Sequence, residues 1–462
     1  MKYTNIMRNL SVAFIFLFCG ATAFAQQTTA NSPYSSFGLG ELGGNDHAVL
    51  SGIGNTTITM QDSTLLNFYN PASYNTLAKG QPLFSIGTST RLSSYSENGI
   101  KSFQSTTALQ HFAMAFPFAR NFGLAFGLKP YSRKGYEFAT RIKVNTDSLY
   151  YNYSGTGGIN EVFLGFSANV INRNGTRISL GGNAGYHFGS VLNTRKAGLI
   201  SDAYEGTTDY PGGVGVKGFR VKSFHYEFGL QYDQRLGEKH KIGISIVVDP
   251  LQKIHGTYED ALYSATNINN PNSYADLFIN DSLDGHITNV PTYTFGLSYH
   301  LNVQTRKTHV TPLNTEVSFH MSYAMMDWSK FDNTFDPTFT NNFLTSTKYT
   351  FGIQYVPETQ FIVKKASTKF YHRMRYRIGT YYQTLPYVTN GEQVTDFGTT
   401  FGLGFPVMIQ NSLSSINLGL SYGNRGISDS EALKETYYGI QIGITIAPNP
   451  KTDRWFKKRK LN

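Results

Sequence analysis

Three arginines, Arg373, Arg375 and Arg377, alternate with Met374, Tyr376 and Ile378. On a strand, side chains two apart share a face, so the three guanidinium groups would point one way. Each presents a planar fork that matches a carboxylate. Two chemistries follow. The arginines pair with carboxylates of the protein itself, for which Glu161, Glu227, Asp233, Glu316 and Asp396 are inward candidates, or one of them holds the carboxylate of an amphipathic ligand. No catalytic set accompanies them: the sequence has no His-Glu-x-x-His, no phosphate-cradling loop and no Gly-x-Ser-x-Gly elbow. His300, His320 and His372 could be drawn into a Ser-His-acid arrangement, but a histidine in a polar interior is ordinarily a satisfied hydrogen-bonding residue. The stretch Asn280-Asp281-Ser282-Leu283-Asp284-Gly285 lacks the ligand spacing of a dedicated calcium loop and is expected to be a solvated loop. No enzymatic activity, cofactor or metal is expected.

An arginine strand has meaning only within the elements that orient it. Through most of the chain apolar residues alternate with small or polar ones at a period of two, the pattern of strands whose faces meet different surroundings. Phe397, Thr399, Phe401, Leu403 and Phe405 fall on one face, and Asp396, Gly398, Thr400, Gly402 and Gly404 on the other. Tyr438, Ile440, Ile442, Ile444 and Ile446 alternate likewise with Gly439, Gln441, Gly443 and Thr445. Val162, Leu164 and Phe166 oppose Glu161, Gly165 and Ser167; Phe224, Tyr226 and Phe228 oppose His225, Glu227 and Gly229. The polar face is small and glycine-rich, as a lumen packed around an inner body requires. About fourteen such runs, from near Pro82 to near Thr436, predict an all-β protein, a closed transmembrane antiparallel barrel. Charge on the lipid face at mid-membrane would cost roughly 2–4 kcal/mol per residue, so the arginines are expected to face the lumen. Short connections at 119–121, 172–175 and 236–239 are expected on the periplasmic side. Long polar stretches at 147–156, 196–217 and 264–284 are expected as outer loops.

Composition agrees. The 462 residues are 15% aromatic but only 15% charged, with 45 glycines and a mean hydropathy of -0.28, too polar for a helical membrane protein and too poor in charge for an ordinary soluble one. Lys2 and Arg8 precede the apolar run 12–18, and Ala23-Phe24-Ala25 supplies small residues before Gln26, so residues 1–25 are read as a secretory signal cleaved after Ala25. Cys19, the only cysteine, lies inside that signal behind bulky Phe18, which argues against a lipid anchor and leaves no disulfide in the mature chain. The net charge of +10 is not read as nucleic-acid binding, because the signal removes the chain from the cytoplasm. Residues 449–462 form a basic tail, densest at Arg454-Trp455-Phe456-Lys457-Lys458-Arg459-Lys460, expected to meet anionic headgroups or a periplasmic protein partner.

Between signal and barrel, residues 26–81 are rich in Gly, Ser, Asn and Thr yet studded with Phe37, Leu39, Leu50, Ile53, Met60, Leu65, Leu66 and Phe68. A free linker has no need of those side chains, so the segment is read as an amino-terminal plug, with residues 82–448 as the barrel. Tyr69-Asn70-Pro71-Ala72 closes it, a rigid corner because Pro71 fixes its own φ and biases Asn70 away from helix. With Asn-Pro-Ala at the end of a plug and before the first strand, the chain resembles the FadL-like family of outer-membrane fatty-acid transporters. That resemblance implies a hatch hinge at Asn70, Pro71 and Ala72, and passive uptake of long-chain fatty acids or other apolar molecules. Arg373, Arg375, Arg377, Phe68 and Tyr69 are then the candidate ligand-binding residues. In that family a kink in the third strand opens a lateral exit into the membrane; Pro130, in the third strand here, matches it by order, and Pro250 in the seventh is a rival. The same family includes a barrel of the type IX secretion system that binds protein cargo. A non-transporting component of an outer-membrane protein complex therefore stays open as the alternative.

Overall fold

A computed structural model describes residues 32–43, 47–77, 81–119, 121–144, 147–201, 211–307, 310–334, 343–359, 369–409, 412–429 and 431–448. The expected signal, residues 26–31 and the basic tail lie outside these. A two-residue strand, β1 (Glu41–Leu42), precedes β2 (Leu83–Glu97), β3 (Ile100–Ala119), β4 (Phe122–Val144), β5 (Asp147–Arg173), β6 (Thr176–Ser201) and β7 (Gly212–Leu236). There follow β8 (His240–Asp249), β9 (Lys253–Ala265), β10 (Tyr274–Thr288), β11 (Thr292–Lys307) and β12 (Val310–Met326). The last five are β13 (Ser346–Val356), β14 (Arg375–Thr389), β15 (Glu392–Ile409), β16 (Ser412–Gly426) and β17 (Lys434–Ile446).

β8 and β9 are halves of one barrel strand, since both pair with β7, and β10 and β11 are halves of the next. Counted so, the sheet is a closed antiparallel barrel of fourteen strands, with β17 pairing back onto β2. The alternation lands as expected: Phe397, Phe401, Ile440 and Ile442 are exposed on the outer face, while Asp396, Thr400 and Gln441 are buried on the inner one. Asn98-Gly99, Asn174-Gly175 and Asn390-Gly391 all have positive φ and make two-residue hairpins, the turn that matches the twist of paired strands. Asn174-Gly175 lies at the end here called lower, and the other two lie at the upper end, so tight turns occupy both ends rather than one.

The expected outer loops are in large part strand instead, with 196–201 in β6 and 212–217 in β7. Residues 147–156 belong to β5, and 274–284 to β10, so the acidic stretch from Asn280 is paired backbone and not a free loop. Such stretches resemble loops in sequence because polar residues occupy both faces. Above the bilayer no lipid demands an apolar face, while Leu149, Tyr150, Tyr151 and Tyr153 still favour a ladder. β5 runs for 27 residues, against the roughly 9–11 that a bilayer needs. The upper parts of β4 to β7, with β9 and β10, therefore continue as a sheet above the bilayer.

The amino-terminal segment lies inside the barrel. His47 caps a short helix, Ala48–Ser51, with its side chain accepting from the Val49 N–H at 3.3 Å. Val49, Leu50, Ile53, Met60 and Leu65 form one buried cluster. Leu66, Phe68, Tyr74 and Leu77 pack with Ala113, Ala125 and Phe163 of the wall in another. The inward glycines of the wall admit this backbone: a methyl on Gly402 would sit 2.9 Å from the Gly52 Cα.

Candidate functional site

The corner at Asn70-Pro71-Ala72 is a capped 3-10 turn, Pro71–Thr76, with proline at its first position, where no N–H is needed. Asn70 Oδ1 accepts from the Ala72 N–H at 3.0 Å, and its Nδ2 donates to the Ile58 carbonyl at 2.7 Å. Asn70 thus closes the inner segment on itself. Phe68 is fully buried between His47, His111 and Phe163 and does not line the lumen cavity, whereas Tyr69 does.

The arginine trio divides. Arg373 ends a helical turn, Phe370–Arg373, so it shares no strand face with the other two; β14 begins only at Arg375. The period-two pattern continued past the true strand end, which nothing in the alternation itself marks. Arg375 Nη2 lies 2.9 Å from Asp62 Oδ2 of the inner segment, and its Nη1 donates to Thr64 Oγ1 at 3.1 Å. Burial alone would raise the Asp62 carboxyl, but Arg375 and the Thr64 donors hold it below the usual carboxylate range. Arg377, 2% exposed, donates to the amide oxygens of Gln354 at 2.7 Å and Asn417 at 3.3 Å. Neither Arg375 nor Arg377 lines the large cavity. The five carboxylates read as partners pair elsewhere: Glu161 and Glu227 with Lys129, Asp233 with Arg177 and Lys241, Glu316 with His300, and Asp396 with Arg425. His320 faces Thr59 and Ser318 at 3.0 Å each and has no carboxylate beside it, so no Ser-His-acid relay forms among the described residues.

A second set of ties surrounds Arg425. Its guanidinium reaches Glu41 of β1, Asp396 Oδ2 at 3.0 Å and Glu435 Oε2 at 3.5 Å. Arg91 meets the other Glu435 oxygen at 2.8 Å, and Tyr437 donates to Asp396 Oδ1 at 2.6 Å. Gln61 joins Arg177, Asp233 and Lys241 in a third set. Between these ties lies a cavity of about 400 Å³ lined by Arg91, Lys129, Glu161, Glu227, Asp396 and Arg425 among others, with a mixed rather than apolar lining. Tyr34, Val290, Trp328, Phe343, Tyr387 and Ile427 form a buried apolar cluster. Arg425 and Glu435 were legible in principle, for they continue the parity that puts Gly423 and Gly439 inward; Glu41, in a two-residue strand, carries no such signal.

Between β3 and β4 the ladder is incomplete. β3 and β4 pair only from Ala119↔Phe122 to Phe112↔Leu128. Above that point β3 stays with β2 as far as Ile100, and β4 stays with β5 as far as Val144. Pro130 stands at the point of divergence, next to a register shift that leaves Tyr131 out of the pairing. The inner segment mends this seam: β1 pairs Glu41↔Arg133 and Leu42↔Ser132, and Gly43 donates to the Tyr131 carbonyl at 2.7 Å. Lys134 Nζ donates to the Ser36 and Gly38 carbonyls, and Arg133 Nη2 spans the seam to the Leu109 carbonyl at 2.9 Å.

No curated protein matches the chain. The toluene transporter TodX of P. putida superposes with a TM-score of 0.50 at 12% identity, over 88% of this chain and 99% of that one. A FadL homologue of Pseudomonas aeruginosa gives 0.49 at 10% identity over 88% and 98%, and the monoaromatic hydrocarbon channel CymD gives 0.48 at 13% over 89% and 99%. At 12% identity the TodX likeness shows the fold alone. The BamG family model matches residues 6–462, nearly the whole sequence, and the chain belongs to the BamG family.

Proposed function

We propose that this barrel works as a closed, partner-binding component of an outer-membrane protein complex, sealed by its amino-terminal segment acting as a plug. The observation that carries the reading is the sheet that continues above the bilayer. Phe138 and Ile142 on β4, Leu262 on β9, and Leu277 and Phe278 on β10 are exposed there, beyond the reach of lipid. Apolar side chains grouped on a water-facing sheet favour cover by another protein. A conduit needs no such wall, and the mixed lining of the cavity, with the Arg425, Arg375 and Arg177 ties around it, disfavours a continuous apolar path. Native mass spectrometry of the detergent-purified parent should show a stoichiometric protein partner. Phe138→Asp with Leu277→Asp should remove that partner while heat-modifiable mobility, the sign of a folded barrel, stays unchanged. A parent that carries only lipid or fatty acid would reject this reading.

One observation favours a second reading, uptake of an apolar molecule with lateral release. The seam above Leu128 is where such a molecule would leave the lumen for the membrane, and its plug-side cover is only β1 and the residues around it. Transport of an apolar tracer into reconstituted vesicles, absent from empty ones, would support this reading over the first.

A further inference from the structure

Glu161 on β5, His187 on β6 and His225 on β7 face inward side by side, because Glu161 stands opposite His187 and His225 opposite Gly185. All three are buried, and one donor atom from each lies within 4.8 Å of the others. Glu161 Oε2 is 3.6 Å from His187 Nε2, and Oε1 is 3.4 Å from His225 Nδ1. Neither ring nitrogen of His187 makes a hydrogen bond among the described residues, although the side chain is 0% exposed. A buried imidazole whose ring nitrogens make no hydrogen bond is costly.

We propose that Glu161, His187 and His225 form a site for one divalent transition-metal ion of the zinc class, with its fourth position open to the lumen. Bonds of about 2.0–2.1 Å in a tetrahedron set neighbouring donors about 3.3 Å apart; each histidine stands near that distance from a Glu161 oxygen, and a small inward turn of the rings from within 4.8 Å closes the set. Two imidazoles and one carboxylate make a borderline donor set suited to such an ion. His225 Nε2 lies 3.2 Å from Asp249 Oδ2, so a proton held there turns the Nδ1 lone pair toward Glu161, the carboxylate–histidine arrangement typical of metal ligands. Charge points the same way. Glu161, Glu227 and Asp249 bring three carboxylates to the cluster, and Lys129 is the cation among them, 3.4 Å from Glu161 and 3.9 Å from Glu227. With neutral histidines a divalent ion balances the remainder, and Lys129 stays with Glu227. Glu161 and His225 also line the cavity, from which water supplies the fourth ligand, while the Tyr131 ring covers His187 at 4.2 Å.

The test uses the full chain, purified in detergent without a polyhistidine tag and stripped with a chelator. Titration with Co²⁺, whose visible absorption reports tetrahedral coordination, should show one ion per barrel, displaced by Zn²⁺. His187→Gln should abolish the band, and Asp249→Asn should weaken binding about 10-fold. His255→Ala, in the surface pair with His286, should leave it unchanged. Heat-modifiable mobility checks that each variant is folded, and Glu161→Gln replaces His187→Gln should the latter not assemble. A folded parent without the band, or a band that survives His187→Gln and falls with His255→Ala, overturns the assignment. The cluster would then be held by a protonated His225 between Glu161 and Asp249.

Discussion

At Pro250 the seventh barrel strand breaks into β8 and β9, and the side chain of Gln252 fills the break. Its Nε2 donates to the Tyr226 carbonyl and its Oε1 accepts from the Tyr226 N–H, both at 2.9 Å, so one amide side chain replaces a lost rung of the ladder on β7. At Pro130 the Arg133 side chain reaches the Leu109 carbonyl across the gap, but the ladder is not restored. β3 and β4 keep faith with their other neighbours and part, and the seam is covered by backbone drawn from the other end of the chain, β1 and Gly43. A proline removes one donor, and one polar side chain can supply it. Opening a wall takes divergence of two strands, and covering it then takes a segment. The first repair is local and permanent; the second depends on whatever holds β1 in place.

What holds β1 is Arg425, so Arg425→Met should separate the two regions most sharply. The methionine keeps a comparable stem but leaves Glu41, Asp396 and Glu435 with fewer partners around a buried site. Removing one member of a buried ion group costs about 3–5 kcal/mol. The loss of heat-modifiable mobility should move to clearly lower temperature, and limited proteolysis should reach residues 32–43 first, with the Pro250 region untouched. Equal protease sensitivity of both regions would mean that Arg425 supports the barrel at large and not the seam cover.

Gln252→Leu tests the other side at smaller size. It leaves the Tyr226 N–H and carbonyl without their partner, at a cost of about 1–3 kcal/mol for a buried group left unsatisfied. Hydrogen exchange of the Tyr226 amide should rise while amides of β1 keep their protection. An unchanged Tyr226 amide would show that β7 is held there by something other than the Gln252 side chain.

How much of this could be read from the sequence follows from where the physics is local. The barrel and its inward and outward faces were legible because lipid and lumen impose a period of two on each spanning strand, as at Phe397 to Phe405. Above the bilayer the constraint lapses, so the upper parts of β5 and β10 looked like loops. The proline positions were visible, but the partners that decide their effect were not: Gln252 is an ordinary polar residue in sequence, and Glu41 sits 384 positions from Arg425. Arg375 follows the inward parity of β14, yet its partner Asp62 lies in the amino-terminal segment, where no strand periodicity marks an inward carboxylate. Ion pairs between segments far apart in the chain leave no spacing to detect.

The smallest expected effect on stability, and the most informative about the seam, comes from Pro130→Val. Valine restores an N–H and favours extended backbone, a change on the order of 1 kcal/mol or less in strand propensity. Assembly and heat-modifiable mobility should therefore match the parent. The two strands above Leu128 are held apart by their pairing with β2 and β5, and β1 already takes the edge of β4 at Ser132 and Arg133, so one restored donor should not zip the seam while the amino-terminal segment is in place. Combined with Arg425→Met, which loosens β1, the same valine should let β3 and β4 extend their ladder, seen as new protection of the amides of residues 103–109. In the transport reading, closing the seam in the double variant lowers uptake of an apolar tracer into vesicles below that of Arg425→Met alone; in the partner-binding reading it changes neither tracer movement nor the co-purifying protein. Loss of uptake with an intact barrel would place the function of this chain at the Pro130 seam and not on its projecting sheet.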